Sequence, residues 1–591
     1  MLRTAATFAA ALALAAATQA EGLLDAVPPN AFMVGWVEDV PSLGERFDAS
    51  AIGKVYRMDE MADFRRVLSE KTAEARREAE EELGVPLDEI VSAAGGDVVF
   101  FLTTGADGAP ATGATLIELV PESAATIERM VERAVAEMPA DAQRSTYTVG
   151  PFEVMSFKYY EDEPDPATPG AFIQRARNAE IMRGPALLAF GAAEGDASAL
   201  REPLARLSGG DDSPSYFATP EYRALLELHG GETGDINFVG DPVPGFEDSV
   251  RETPGGEENM RKVRAALGLP DRLPIFVSFR MRPDGSDFAT TLHGGSGDGF
   301  LGLFRKFGRN PLSTMSRVPY EANSYTTWML DGAELMRELR AILLLAQPQA
   351  LGIMNLVLDG QKQSLGVDIE NEVIANLSGE HFSYTLPLDP SEREEILANP
   401  VEGSFTVLRK TGARLATRNS SAFNSSVDRA LTQLIDNPQG GIPFDRTEEQ
   451  SVPVFEFKGA PGADNPLPAR IALAPQAVLV TFDGAMMQEA LRGETTPPAR
   501  SIADRPELQR LLPLLDRESA FYFSFSTEEA WLLAIETNLA MFKQTVTDPE
   551  ALELLQALPP VSALRGKLGD AVGMWSTPEG AHRFEVKARL R

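Results

Sequence analysis

The chain has 591 residues, and its 87 Asp and Glu against 54 Lys and Arg give a formal net charge of −33. A surface this acidic repels phosphate backbones, so we exclude nucleic acid as the main partner. The sequence contains no cysteine, which excludes disulfides, thiolate metal ligands and lipid attachment through an N-terminal cysteine. A chain of this length predicts more than one domain, each able to bury its own core.

Residues 1–20 have the pattern of a secretory signal peptide. Arg3 supplies a positive charge, an apolar run of about 13 residues follows, and Thr18 and Ala20 are the small residues that precede a cleavage site. Because a membrane-spanning helix needs roughly 20 apolar residues, the pattern favours cleavage over an uncleaved anchor. We predict a periplasmic or secreted protein that begins near Glu21 and has no transmembrane segment.

The pattern up to residue 110 alternates between strand and helix. Residues 32–37 and 98–102 are short apolar runs that predict buried strands. Between them, residues 58–83 predict a long, highly charged helix that ends at Gly84, since glycine suits a helix C-terminal cap. The turn residues 105–108 indicate a hairpin and hence antiparallel pairing.

Two further helices and a hairpin follow in the first half. Apolar residues recur at helical spacing over 127–138. Thr219-Pro220-Glu221 predicts a helix start, because threonine can cap the helix, proline suits the first turn and glutamate meets the positive end of the helix dipole. Pro283-Asp284-Gly285 predicts a tight turn between strands. Hairpins mixed with helices favour an α+β fold over a doubly wound parallel sheet.

Residues 300–310 form a predicted connector after the glycine-rich residues 294–299. Four apolar side chains share one face of a short helix, at Phe300, Leu303, Phe304 and Phe307. Three basic residues accompany them, so the stretch could lie on an anionic membrane surface. Two glycines make it a poor free helix, however. We expect the connector to dock between two lobes, with the membrane surface as the alternative.

The second half of the chain repeats the first, because short matches keep the same order about 290 residues apart. They pair Trp36 with Trp328, Gly96-Asp97 with Gly379-Glu380, Phe157-Lys158 with Phe457-Lys458, Pro220-Glu221 with Pro506-Glu507 and Pro283-Asp284-Gly285 with Pro578-Glu579-Gly580. Alternating phenylalanines over 521–525 predict a strand with one buried face. Arg505 replaces Thr219, so the corresponding helix cap is weaker. We predict an α+β fold of two similar tandem lobes, residues 21–299 and 311–591, each with a mainly antiparallel sheet and packed helices.

Three passages resemble an uncharacterised family of exported bacterial proteins, grouped as a domain of unknown function. They are residues 27–31 before the first strand, residues 87–98, and the helix start at residues 218–223. The resemblance implies export and repeated α+β modules. It implies no activity and no site residues.

Signatures of enzyme chemistry are weak. The four histidines are His229, His293, His381 and His582, and no pair has metal-ligand spacing. Residues 294–298 end in aspartate where a serine nucleophile elbow needs glycine. No glycine-rich phosphate loop follows a strand. We therefore assign no catalytic, cofactor-binding or metal residues and expect no cofactor.

Asp97 and Glu380 are the best-placed acids, because they occupy matching positions after a glycine. Two carboxyls across a cleft could serve a glycosidase, but an acid after a glycine more often holds a turn by accepting from backbone N–H groups. The acidic loops at 211–212 and 284–287 lack the spacing of an EF-hand and indicate solvated turns rather than calcium sites.

Together these features favour a non-catalytic exported protein that binds or scaffolds an unknown envelope protein or ligand. The alternative is a carboxylate-dependent hydrolase acting in the periplasm or outside the cell. A deep cleft with two inward-facing acids of raised pKa would favour the hydrolase. A small-molecule transport protein is less favoured, since its lobes would be parallel α/β.

Overall fold

The computed structural model describes residues 21–83, 85–103, 112–164, 172–211, 213–241, 256–270, 273–293, 299–436, 444–457, 468–515, 517–578 and 581–590. The predicted signal peptide, the Gly84 cap, the turn at 105–108 and most of the glycine-rich link lie outside these residues. The described residues form two compact units. The first comprises those in 21–241 and 273–293, and the second comprises those in 256–270 and 299–590.

The first unit is built on an antiparallel sheet. Its strands are β1 (Ala31–Val37), β2 (Ala94–Thr103), β3 (Thr112–Leu119), β4 (Gln143–Val149), β5 (Phe152–Pro164), β6 (Phe172–Arg183), β7 (Leu187–Glu194), β8 (Ile236–Gly240), β9 (Ile275–Arg282) and β10 (Gly285–His293). Their spatial order is β10-β9-β8-β1-β2-β3-β7-β6-β5-β4, and each of these neighbouring pairs is antiparallel.

Helices connect these strands. They are α1 (Glu21–Leu24), α2 (Val40–Ala49), α3 (Ala51–Tyr56), α4 (Ala62–Leu83), α5 (Leu87–Ala93), α6 (Ala124–Ala136), α7 (Arg201–Leu207) and α8 (Pro220–Leu228), with 3₁₀ turns at Asp59–Met61, Pro121–Ser123 and Tyr216–Ala218. The predicted helices over 58–83 and 127–138 and the helix start at Thr219 are all present, within a few residues of the expected bounds.

The first-unit sheet is covered on both faces. Adjacent residues of β2, Val98 and Val99, belong to two different buried clusters, because successive strand residues point to opposite faces. One cluster includes Met130 of α6 and the other includes Tyr222 of α8. Burial on both faces explains why residues 98–102 of β2 are continuously apolar rather than alternating.

The second unit is also built on an antiparallel sheet. Its strands are β11 (Ser324–Asp331), β12 (Ser378–Thr385), β13 (Thr411–Ala416), β14 (Phe444–Glu449), β15 (Val452–Phe457), β16 (Arg470–Ala474), β17 (Ala477–Thr481), β18 (Ala520–Ser526), β19 (Leu568–Ser576) and β20 (Ala581–Leu590). Their order is β20-β19-β18-β11-β12-β13-β17-β16-β15-β14, again with antiparallel neighbours.

Many helices surround this second sheet. They are α9 (Gly256–Leu267), α10 (Gly299–Lys306), α11 (Gly332–Ala346), α12 (Pro348–Leu365), α13 (Pro390–Ala398), α14 (Pro400–Arg409), α15 (Ser420–Asp436), α16 (Gly484–Thr495), α17 (Pro506–Leu511), α18 (Glu528–Thr545) and α19 (Pro549–Ala557). A π-helical turn spans Ile369–Val373, and 3₁₀ turns lie at Ser313–Arg317, Ile374–Asn376, Ile502–Asp504, Leu512–Leu514 and Val561–Leu564.

The main core of the second unit joins its central strands to the short helix α17. Tyr325 of β11 and Phe523 of β18 are fully buried, and Leu508 of α17 belongs to the same cluster. Phe521 and Phe525 are also buried, as the alternating pattern predicts. Strands, hairpins and helices in both units confirm the α+β class.

Two segments near the predicted boundary pack within the second unit. Helix α9 precedes β9 in sequence yet contacts α11, whereas the sequence pattern assigns it to the first lobe. In the connector, helix α10 buries Leu303, and the Phe304 ring centroid lies 5.0 Å from that of Phe521 and 5.2 Å from that of Trp575. The connector helix is therefore part of the second unit's packing.

None of the helices in the described ranges is both long enough and apolar enough to cross a bilayer. For this part of the chain, the finding agrees with the expectation that the mature protein has no transmembrane segment.

A candidate ligand pocket in the second unit

A pocket of about 410 Å³ opens beside β12, β13 and β17. Its volume falls in the range of roughly 300–1,000 Å³ that is common for small-molecule sites. The residues that line it are Arg317, Pro319, Phe382, Tyr384, Ala413, Arg414, Leu479, Glu489, Ala490, Arg492, Gly493, Glu494, Thr496, Pro497, Pro498 and Ala499.

Helix α16 forms one wall because of its cap and its apolar face. The side chain of Asp483 accepts hydrogen bonds from the backbone N–H groups of Ala485 at 2.8 Å and Met486 at 3.1 Å, which fixes the helix start. Met486, Met487 and Leu491 of the helix are buried. Anchoring this face positions the last turn of the helix, which contains Gly493 and Glu494, at the pocket.

Ion pairs dominate the polar lining. The Arg414 guanidinium donates from Nε to Oε1 of Glu494 at 2.6 Å, and both side chains are about nine-tenths buried. Arg317 approaches the same oxygen at 3.7 Å. Glu489 pairs with Arg492. Three arginines against two glutamates leave an excess positive charge in this pocket, although the whole chain is strongly acidic.

The remaining walls are mainly apolar and add two hydroxyl groups, the buried phenol of Tyr384 and the side chain of Thr496. Burial raises the pKa of Tyr384 to about 12, so its hydroxyl stays protonated at neutral pH. Phe382 lies two residues away on the same strand face, and its ring centroid is 6.2 Å from that of Tyr384. The pocket thus combines apolar walls with a neutral hydroxyl and cationic groups.

The two acids singled out by the sequence lie elsewhere, one in each unit. Asp97 of β2 is fully buried, and its Oδ1 accepts a hydrogen bond from the backbone N–H of Asp39 at 3.1 Å. Its Oδ2 has no hydrogen-bond partner. Burial, followed by repulsion from Glu118, Glu38 and Asp39, raises the pKa of Asp97 to about 7.

Glu380 of β12 is also buried, but it is richly bonded. Its Oε2 accepts from Ser313 through the backbone N–H at 3.1 Å and the hydroxyl at 2.6 Å. Its Oε1 accepts from Thr314 through the backbone N–H at 3.2 Å and the hydroxyl at 2.8 Å. This carboxylate therefore holds the Ser313–Arg317 turn against the sheet, which is the structural role that the sequence favoured.

Three of the four histidines, His229, His381 and His582, are nearly or fully buried in the protein. His229 contacts the hydroxyls of Thr291 at 2.8 Å and Ser278 at 2.6 Å. Burial lowers the pKa of His381 and of His582 to about 4 in each case, and it also lowers the pKa of His293. The imidazoles of His293, His381 and His582 therefore stay neutral near pH 7.

No metal centre is present among the described residues, since they contain no group of three or more His, Cys, Asp or Glu that could hold an ion. Of the acidic loops, Asp211 accepts from the backbone and hydroxyl of Ser213, and Asp287 pairs with Arg282. Asp212 lies outside the described residues.

Sequence reasoning did not find the pocket residues. Arg414 and Glu494 are 80 residues apart, and Arg317 is farther still, so no local motif connects them. The only available signal was a proline pair, Pro497-Pro498, after an amphipathic helix, and that pattern indicates a loop rather than a site.

Comparisons with known proteins identify no family for this chain. No protein-family model and no curated protein matches the chain. Among solved structures, crystal form III of TP0453 is similar at 10% identity with a TM-score of 0.21, covering 46% of this chain and 80% of that one. A likeness this slight carries no argument about fold or function.

Proposed function

We propose that the protein is an exported component of the cell envelope that binds a ligand without transforming it. The pocket of the second unit is the observation that carries the proposal, because it joins apolar walls to a small set of converging polar groups. Both carboxylates in its lining are paired with arginine. Ion pairs of this kind favour a binding role over acid–base chemistry.

The ligand class that fits the pocket best is a small apolar carboxylic acid. Arg317 is partly exposed and makes only a long approach to Glu494, so its guanidinium can donate to a ligand carboxylate in a paired geometry. Phe382 and Leu479 would contact the apolar body, and the protonated Tyr384 could donate one further hydrogen bond.

A carboxylate-dependent hydrolase is the second candidate, and Asp97 is the observation that favours it. A pKa of about 7 suits a general acid or base at neutral pH. Against this, Asp97 is fully buried and lies in the first unit, apart from the pocket lining. A buried acid can act only if a substrate reaches it, so we rank the hydrolase second.

We also propose that the two units are diverged copies of one lobe. The support is topological: adding ten to each strand number of the first sheet reproduces the order of the second. Trp36 and Trp328 lie on the first strands of the two sheets. In each case an aspartate three residues later caps the next helix, Asp39 for α2 and Asp331 for α11.

Export and the resemblance to an uncharacterised exported family stay part of the proposal. They rest on the signal-peptide pattern of residues 1–20 and on the three resembling passages. N-terminal sequencing of the protein recovered from the periplasm or medium tests export. A start at Glu21 supports the proposal, and retention of the full chain in the membrane fraction contradicts it.

Isothermal titration calorimetry with benzoate, cinnamate and octanoate tests the binding role, with the corresponding amides as uncharged controls. We expect at least one acid to bind while its amide does not, and Arg317→Gln to weaken binding at least tenfold. Arg337→Gln, on the exposed side of α11, is the matched control and should bind normally. Absence of heat with every acid would contradict the assigned ligand class, whereas substrate turnover that Asp97→Asn abolishes would favour the hydrolase.

A further inference from the structure

The helical hairpin of α11 and α12 exposes an unusual apolar surface, which we call the hairpin patch. Its members are Leu344, Leu345, Ile353, Leu356 and Val357, with exposed fractions from 48% at Leu345 to 73% at Leu356. Singly exposed apolar residues are ordinary on soluble proteins, but a group of large ones on adjoining helices marks an interaction surface.

The patch is formed by two helical stripes. Leu344 and Leu345 share a face of α11 with Ala341, and Leu356 and Val357 share a face of α12 with Ile353, at the spacing i, i+3, i+4. The two helices contact each other and are separated only by Gln347. In α12, no residue whose burial is described is fully buried.

The patch belongs to an uncharged stretch of an acidic protein. Residues 341–358 contain no Asp, Glu, Lys or Arg, and the stretch is bounded by Arg340 and Asp359. Charges at its base are matched locally: Arg340 pairs with Glu370 and Lys362 pairs with Asp368 at 2.9 Å. An uncharged apolar face above a base without excess positive charge is complementary to hydrocarbon beneath zwitterionic headgroups.

We infer that the hairpin patch lies in the interfacial region of a lipid bilayer, with the apolar faces of α11 and α12 among the acyl chains. A protein partner fits less well, because interface hot spots are rich in Trp, Tyr and Arg, and the patch contains only Leu, Ile and Val. A second copy also fits less well. Five partly exposed side chains offer on the order of 500 Å², below the roughly 800 Å² per partner of a stable interface.

The charge distribution predicts how the attachment depends on lipid and salt. Attraction to anionic lipids requires an excess of Lys and Arg near the surface. The base of the hairpin has no such excess, because its two ion pairs cancel and Asp359 adds a negative charge, and the whole chain is acidic. The attachment should therefore be driven by apolar insertion. It should occur on neutral phosphatidylcholine and should persist at high salt, where electrostatic binding is screened.

Flotation of the full chain with phosphatidylcholine vesicles, at low and high salt, tests the inference. We expect Leu344→Ser/Ile353→Ser/Leu356→Ser to reduce vesicle partitioning at least tenfold. The matched control is Gln349→Ser/Gln361→Ser/Gln363→Ser, which changes three exposed polar positions of α12 and should float like the parent. All variants keep the same N-terminus, so residues 1–20 contribute equally to each.

A fluorescence measurement keeps the test valid if the triple variant is poorly folded. In Leu356→Trp, the emission of the introduced tryptophan, taken as the difference from the parent spectrum, should shift to shorter wavelength when vesicles are added. In Gln363→Trp the corresponding emission should not shift. Three outcomes would overturn the inference. They are absence of flotation by the parent, flotation that requires anionic lipid and disappears at high salt, and a concentration-dependent dimer that the triple variant loses while vesicles have no effect.

Discussion

Asp97 and Glu380 follow a glycine on the second strand of their respective units, yet their surroundings differ. Glu380 accepts four hydrogen bonds from Ser313 and Thr314. Asp97 accepts one, from the backbone of Asp39, and faces the neighbouring carboxylates of Glu118 and Glu38. A buried acid is stabilised by the donors around it rather than by its own position in a sheet. The two sites therefore predict opposite effects of removing the charge.

Removing the acceptor at position 380 should have the largest effect. Glu380→Ala leaves buried N–H and hydroxyl donors of Ser313 and Thr314 without a partner, and we expect a loss of roughly 3–5 kcal/mol from the unfolding free energy of the second unit. Glu380→Gln keeps one carbonyl oxygen and should lose less. Urea unfolding, monitored through hydrogen exchange of the backbone amides of β12, measures the stability loss in both variants. Equal stability of Glu380→Ala and the parent would contradict the role assigned to this carboxylate.

Removing the charge at position 97 should instead stabilise the first unit above neutral pH. The folded pKa of Asp97 is about 7, while an unfolded aspartate has a pKa near 3.9. As pH rises between these values, the unfolded chain loses its proton first, so the unfolding free energy of the first unit falls. The fall is complete above pH 7, and linkage puts its total at roughly 4 kcal/mol.

Asp97→Asn cannot ionise and keeps an acceptor for the Asp39 N–H. It should therefore melt several degrees above the parent at pH 8 and nearly with it at pH 4, as scanning calorimetry would show. A variant that is less stable than the parent at pH 8 would show that the ionised carboxylate is needed in the fold. That result would also weaken the hydrolase candidate, which rests on the raised pKa of Asp97.

The second unit should be sensitive to acid. His381 is fully buried, neither ring nitrogen has a hydrogen-bond partner, and burial lowers its pKa to about 4. As pH falls below about 6.5 the unfolded chain takes up the proton first, so stability is lost down to pH 4, by roughly 2 kcal/mol at pH 5. His381→Phe preserves an aromatic ring beside Trp328 and should reduce this loss.

His582 titrates in the same direction, so the replacement at position 381 should weaken the acid sensitivity without removing it. His229→Phe serves as a contrast. It leaves the buried hydroxyls of Ser278 and Thr291 without their partner, so it should lower stability at every pH. If His381→Phe and the parent show the same pH dependence between 7 and 5, the imidazole at position 381 is not the sensitive group.

Local patterns could predict the elements but not the sites. The apolar runs at residues 32–37 and 98–102 predict β1 and β2, and Thr219-Pro220-Glu221 predicts the start of α8. These predictions succeed because each pattern depends on neighbouring residues only. The pocket needs Arg414 and Glu494, whose approach depends on the pairing of β13 with β17. The hairpin patch was missed because Gln347-Pro348-Gln349 interrupts the apolar run, and the useful signal was the absence of charge over residues 341–358.

The helix starts at Thr219 and Arg505, which the proposed duplication pairs, give the smallest contrast. The Thr219 hydroxyl accepts from the Tyr222 N–H at 3.3 Å, so Thr219→Ala should cost the first unit about 1 kcal/mol. Thr219→Ser should cost less, since serine keeps the hydroxyl. Faster hydrogen exchange at Tyr222 in the alanine variant would report the lost cap directly, whereas unchanged exchange would mean that Pro220 and burial of Tyr222 suffice to hold the helix start.

The sequence predicts a weaker cap at Arg505, and its side chain makes no capping hydrogen bond to α17. Its Nε instead donates to the Tyr320 carbonyl at 2.7 Å, and its guanidinium lies over the Tyr320 ring. Arg505→Thr would add a cap but remove both contacts, so we expect a net change well below the 1 kcal/mol of a cap alone. A gain equal to a full cap would mean that the contacts with Tyr320 contribute nothing to the stability of the second unit.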